Sequence, residues 1–236
     1  MSNPSPVRSV IMFNGPPGCG KDFVTATMKE VMTDMGTAVH HHEVKNRLIN
    51  LTCLIHDISR EEWDQSYHHP TKDMPRIKLG GLTMRQALIH VSETVIKPNF
   101  GQNYFGRAAG KSLKDGVNLF SDGGFEPEIR EVMNAVGRDN FLLVRVHPLI
   151  DGELKGFEGS GDSRGYVMCD DIPSVDVVND YTWSFVHATI DGIAELMERH
   201  EERCEEAGRN DLIIPVIHQM SKASADLVNR DPGLQD

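Results

Sequence analysis

The sequence has few cysteines and no pattern that would pair them. Its four, Cys19, Cys53, Cys169 and Cys204, include no C-x-x-C, so neither a zinc site nor a disulfide framework is expected, and a reduced setting fits. Long apolar runs are missing too. No stretch approaches the roughly 20 residues a membrane helix needs. The opening MSNPSPVRS lacks the basic-then-apolar order of a signal peptide, so the expectation is a cytoplasmic protein without a membrane partner. Basic charge is also scarce. The formal net charge is −11, which argues against a nucleic-acid footprint over the whole surface, because such binding relies on lysine and arginine displacing counterions. No internal repeat is visible.

What is there is 236 residues, 39% apolar and 25% charged, enough for one α/β domain with a real core and cramped for two. The charge is uneven. Between His69 and Asp115 stand eight Lys/Arg and three Asp/Glu, a local +5 that leaves −16 elsewhere. An anionic ligand is best sought against this segment.

SVIMFN, residues 9 to 14, reads as a buried parallel strand. Val24, Met28, Val31 and Met35 then mark one face of a helix that Gly36 stops. TAVHHH is a second strand; successive strand residues face opposite ways, which makes a shared metal site on His40 to His42 awkward. Residues 43 to 66 look helical without clear limits, and 68 to 81 form a basic loop. Thr83 and Gln86 make a capping box for a helix striped by Met84, Leu88, Val91 and Val95 and ended before Pro98. A helix over 103–114, a strand over 117–122, a helix ending at Gly137 and a strand over 140–147 follow. The stretch 148 to 173 is irregular and Gly-rich. VDVVND is a fifth strand, and Val186, Ile190, Ile193 and Met197 stripe a last helix leading into an acidic run, Glu195 to Glu206, that reads as a solvated face. Strands alternating with helices imply a parallel five-stranded sheet covered on both faces.

GPPGCGKDF completes the pattern G-x-x-x-x-G-K between this first strand and first helix. In that setting backbone amides converge at a helix N-terminus, and a lysine adds a point charge for the β- and γ-phosphates of a nucleotide. A bare Gly/Pro turn is the competing account, and the strand and helix on either side speak against it. Where this pattern normally continues with Ser or Thr, Asp22 stands. No N-K-x-D guanine reader is present, and VNLFSD does not end in Asp-Glu as a motor ATPase strand would.

On "GKDFVT", "HEVKNRL" and "PTKDMPRIKLGGLTMRQALIHVSETVIKPNFGQNYF" the sequence resembles the phage deoxynucleoside monophosphate kinases, a branch of the P-loop nucleotide kinases. The likeness spans about residues 9 to 197. It implies a P-loop kinase domain over 1–206, with a helical acceptor insert at about 43–115, a lid at about 148–173, and a C-terminal extension over 207–236. ATP would lie on Gly15, Pro16, Pro17, Gly18, Cys19, Gly20, Lys21, Asp22 and Phe23. The acceptor would meet Lys45, Lys72, Arg85 and Gln86. "FSDGGFEPE" stands where the family has Asp-x-Arg, so Gly124 replaces an arginine and that contact is absent or supplied by Arg130. The lid end "GDSRGY" has no close family parallel.

Several roles stay open. Asp22 reads as a Mg²⁺ ligand, since a carboxylate beside triphosphate needs a cation between them, or as an acid favoured by the helix dipole. Asp122, at a strand's C-terminal end, is a metal-orienting group or base, or a turn former before Gly-Gly. Arg85, in a helix's first turn, reads as an anion binder or a solvated arginine; Gln86 as a base reader or a cap. Arg164 is a lid arginine closing on the transferred phosphoryl group, or a loop residue. The expected function is an ATP- and Mg²⁺-dependent kinase acting on a deoxynucleoside monophosphate, with Lys21, Asp122 and Arg164 catalytic. One alternative is a kinase of 5-hydroxymethyluracil in phage DNA; another is a non-catalytic nucleotide-binding module.

Overall fold

The computed structural model describes residues 8–34, 36–67, 71–156, 165–182, 185–186 and 189–190. Arg164, Met35, Ile193 and Met197, the acidic run and the extension 207–236 lie outside the described residues.

Strand β1 (Arg8–Asn14) is buried from Val10 onward, as its unbroken apolar run requires. Helix α1 (Lys21–Asp34) buries Val24, Met28, Val31 and Met32. Gly36 (φ +82°) closes it, and the Thr37 amide donates back to the Met32 carbonyl at 2.9 Å. Strand β2 (Val39–His42) follows. Residues 43 to 66, ill-defined in the sequence, resolve into α2 (Lys45–Ile55) and α3 (Arg60–Ser66), the latter capped by the Ser59 hydroxyl. The basic loop carries two short 3₁₀ turns, Thr71–Asp73 and Ile77–Leu79.

Helix α4 (Met84–Ile89) starts on the expected capping box, both of whose bonds are made. It does not end before Pro98. A π-helical stretch, His90–Ile96, carries it into α5 (Lys97–Phe100), so Pro98 lies within the helix. The reason is local: the Lys97 amide reaches back five residues to the Ser92 carbonyl, and this widened turn admits a ring that an ordinary α-turn would reject. The same shift puts Ile96 into the core where the 3.6-residue stripe named Val95, which is only half-buried.

Helix α6 (Tyr104–Lys111), strand β3 (Gly116–Phe120), helix α7 (Glu126–Val136), strand β4 (Phe141–Ile150) and strand β6 (Ser174–Asn179) complete the frame. Strand β4 runs three residues past its expected end. Its overhang pairs with β5 (Glu153–Leu154) across Asp151 and Gly152, both at positive φ, in an antiparallel hairpin.

The parallel strands lie in the order β2-β3-β1-β4-β6. Alternate residues of β1 feed opposite faces. Ile11 and Phe13 pack with Val24 and Met28 of α1 and with Phe185, Val186 and Ile190. Val10 and Met12 pack with α6, α7 and the π stretch. The parallel sheet flanked by helices is therefore as expected. The insert adds a third cluster, Ile49, Cys53, Trp63, Leu79, Met84, Ala87 and Leu88.

Candidate functional site

The strand order fixes where a ligand fits. The chain leaves β1 through α1 on one face, and leaves β3 through α7 on the other. Neighbouring parallel strands whose connections part in this way leave a crevice at their C-terminal ends. Two loops border it, Gly15–Gly20 after β1 and Ser121–Phe125 after β3.

The first loop needs its glycines. Gly18 and Gly20 sit at φ +78° and +91°, backbone that side chains resist. A methyl group on Gly20 would lie 2.4 Å from Asn179 Nδ2, and one on Gly15 would lie 2.6 Å from the Val146 carbonyl oxygen. The loop wraps its own lysine. Lys21 is 9% exposed, and its Nζ donates to the carbonyls of Gly15 (2.9 Å) and Pro16 (2.7 Å) and to Cys19 Sγ (3.4 Å). Burial pushes the Cys19 thiol up, against the pull of Lys21. The amides of Gly18, Gly20 and Asp22 donate to no acceptor among the described residues, which leaves them for an anion at the start of α1.

Asp122 lies two residues past β3, a strand the sequence pattern extends to include it, and does something the sequence did not disclose. Its two oxygens accept from the amides of Val44 (2.8 Å) and Lys45 (2.9 Å), anchoring the start of α2. Burial pushes this carboxyl up, while the Lys45 amide and ammonium and the Val44 amide pull it down. The Lys45 ammonium lies 2.8 Å from Glu43. Burial acts to lower the Lys45 pKa, but Glu43, Asp122 and Asp22 outweigh it and leave the ammonium above its usual range. Lys45, Asp22, Asp122 and the overlooked Glu43 therefore share one electrostatic neighbourhood.

Among the described residues no three His, Cys, Asp or Glu side chains converge closely enough to hold a metal. A Mg²⁺ ion beside phosphates needs only one or two carboxylates. Asp22, exposed in the first turn of α1, fits that demand. Asp122 fits it less well, with both oxygens already serving amides.

The remaining candidates divide. Lys72 lies on the 3₁₀ turn Thr71–Asp73, and Arg85 is half-buried in the first turn of α4; neither pairs with a carboxylate among the described residues. Gln86 spends its side-chain oxygen on the Thr83 amide at 2.9 Å, so the capping account holds. Arg130, expected as one source of the contact missing at Gly124, is engaged by two carboxylates. Its guanidinium is bound by Glu126 (2.7 Å) and, through two bonds, by Asp171 (2.5 and 3.0 Å). The three histidines serve structure: His40 contacts the Asp115 carbonyl, His41 the Ser121 hydroxyl and His42 the Asn118 side chain.

Besides Glu43, three residues escaped sequence reasoning. Asn14 is fully buried; its Nδ2 donates to the carbonyls of Gly123 (2.9 Å) and Gly165 (3.2 Å), and its Oδ1 accepts from the Val167 amide (3.1 Å). Asn179 donates to the Cys19 carbonyl (2.9 Å), and Tyr181 donates its hydroxyl to the Gly18 carbonyl (3.2 Å). Each asparagine ends an apolar strand, a signal present in SVIMFN and VDVVND. Near Val167, Arg145 is clamped by Asp176 at 2.8 and 2.6 Å, and His147 contacts the same carboxylate at 2.6 Å.

No helix among the described residues is long and apolar enough to cross a membrane. Neither a protein-family model nor a curated protein matches this chain.

Proposed function

We propose that this chain is a phosphotransferase of the P-loop kinase type, holding ATP on the loop Gly15–Phe23 and moving its γ-phosphate to a deoxynucleoside monophosphate seated against the insert. One observation carries the reading: a lysine enclosed by a glycine loop at the crevice between β1 and β3, with amides at the start of α1 that are unengaged among the described residues. Phosphoryl transfer needs positioning and charge neutralisation more than covalent help. Lys21, by exchanging a loop carbonyl for phosphate oxygen, and the Gly18, Gly20 and Asp22 amides hold the triphosphate. Asp22 would hold Mg²⁺, which would supply charge neutralisation to the phosphates. Asp122 acts by fixing α2, and with it Lys45, at the edge of the crevice. Arg85 and Lys72 are cations without carboxylate partners among the described residues and suit an acceptor phosphate.

A second reading has an observation of its own. With Arg130 bound to Asp171 and glycine at 124, the β3 end of the crevice presents, among the described residues, carboxylates rather than arginines. Glu43 and Asp122 there suit a hydroxyl acceptor that must lose a proton, such as 5-hydroxymethyluracil in DNA. Incubation with labelled ATP and Mg²⁺, against either a panel of deoxynucleoside monophosphates or hydroxymethyluracil-containing DNA, separates the two. Label on the monophosphate supports the first reading. Label only on DNA rejects it in favour of the second, and ATP binding without transfer to either leaves a nucleotide-binding module.

A further inference from the structure

Among the described residues only three non-glycine residues have positive φ: Asp57, Asp151 and Tyr181. Aspartate tolerates that region; a bulky aromatic does not, and an outlier of this kind persists only where its surroundings impose it. The surroundings of Tyr181 are specific. Asn179, 2% exposed at the end of β6, accepts the Tyr181 amide at 2.7 Å and donates to the Cys19 carbonyl at 2.9 Å. The Tyr181 hydroxyl reaches the Gly18 carbonyl at 3.2 Å. Two bonds thus hold the ring at the rim of the glycine loop. A tyrosine needed only to brace the loop would gain most by burying its ring, yet Tyr181 is 56% exposed. A rigid, solvent-facing aromatic face beside a triphosphate loop is the arrangement on which a nucleobase stacks.

We propose that Tyr181 is the stacking platform for the base of the donor nucleotide, and that the donor is therefore a purine nucleoside triphosphate rather than a bare polyphosphate. The proposal rests on the reading that Gly15–Phe23 holds a triphosphate. A π-face recognises any base by area more than by edge, so purine triphosphates bind more tightly than pyrimidine ones, with little choice between adenine and guanine from this residue alone.

Calorimetric titration of the full chain with Mg²⁺ and either ATP or inorganic tripolyphosphate tests it. Tyr181→Ala is expected to weaken ATP roughly 5- to 150-fold, the range of one base-on-ring stack, and to leave tripolyphosphate within about 2-fold. Tyr181→Phe, which keeps the ring and loses the hydroxyl, stays within about 3-fold for both. Tyr181→Gly relieves the positive φ and serves as the folded control if the alanine variant loses its structure; it shows the same selective loss. Unchanged ATP affinity in the alanine and glycine variants overturns the proposal. So does an equal loss for both ligands, which would make Tyr181 a brace for the loop. Wild-type protein that binds neither ligand overturns the underlying phosphate-loop reading as well, whereas wild-type binding of tripolyphosphate no weaker than ATP overturns the platform alone.

Discussion

Replacing Asp122 separates an anchoring carboxylate from a catalytic one. Its two oxygens serve two amides, at 2.8 and 2.9 Å, at the start of α2. Asp122→Ala leaves both donors without an acceptor, and Val44 is buried, so water compensates poorly there. At about 1–3 kcal/mol for each orphaned group, with partial rehydration of the Lys45 amide, the expected loss is about 3 kcal/mol. Asp122→Asn keeps one acceptor. It would forfeit a full charge-assisted bond if the carboxylate were well solvated, but burial already disfavours its ionised form, so removing the charge recovers part of that cost. The expected loss is about 1 kcal/mol. Urea unfolding followed by far-UV circular dichroism reads both, and the slope should stay constant while the midpoint moves. Two results would refute the reasoning: an alanine variant as stable as wild type, or an asparagine variant as damaged as the alanine one. The first removes the anchor; the second makes charge, not acceptor geometry, the operative feature.

Further predictions follow the same logic. Lys21→Ala should abolish phosphoryl transfer while retaining native far-UV dichroism; undiminished turnover would contradict the loop assignment. Arg130→Ala should leave the acceptor KM within about 2-fold, because its guanidinium serves Glu126 and Asp171, whereas Arg85→Ala should raise that KM by about 10-fold or more, the scale of a charge-assisted bond; steady-state kinetics on both variants decides. Asp176 is held at about 2, chiefly by Arg145, with burial opposing and His147 assisting. A carboxyl whose pKa is depressed on folding stabilises the protein above its unfolded value of about 4, and that contribution is lost as pH falls toward 2. Unfolding midpoints between pH 5 and pH 2.5 should therefore fall less steeply in Asp176→Asn than in wild type.

What could be read in the sequence was what is decided locally. The glycine loop, the capping box of Thr83 and Gln86, and the stop at Gly36 are each set by residues within a few positions of one another. What could not be read depends on partners far along the chain. Asp122 meets amides 77 and 78 residues away, and Arg130 is bound by a carboxylate 41 residues on. No spacing rule discloses either pairing. The π stretch defeated the helical stripe in another way: one widened turn shifts the register, exchanging Val95 for Ile96 and admitting Pro98. The hairpin at Asp151-Gly152 was legible, since that dipeptide is a strong turn signal, but the surrounding glycines masked it.

Asn14 has a chemical consequence as well as a geometric one. It precedes Gly15, and in a pliant chain an asparagine before glycine readily loses its side-chain amide to attack by the following backbone nitrogen. Here the strand register opposite Arg145 and three side-chain bonds hold the carboxamide away from that route. An aspartate formed there would turn only acceptors toward the Gly123 and Gly165 carbonyls. Ageing of the protein at this bond thus tracks the time the chain spends unfolded, and one slow covalent change would detach both loops at once.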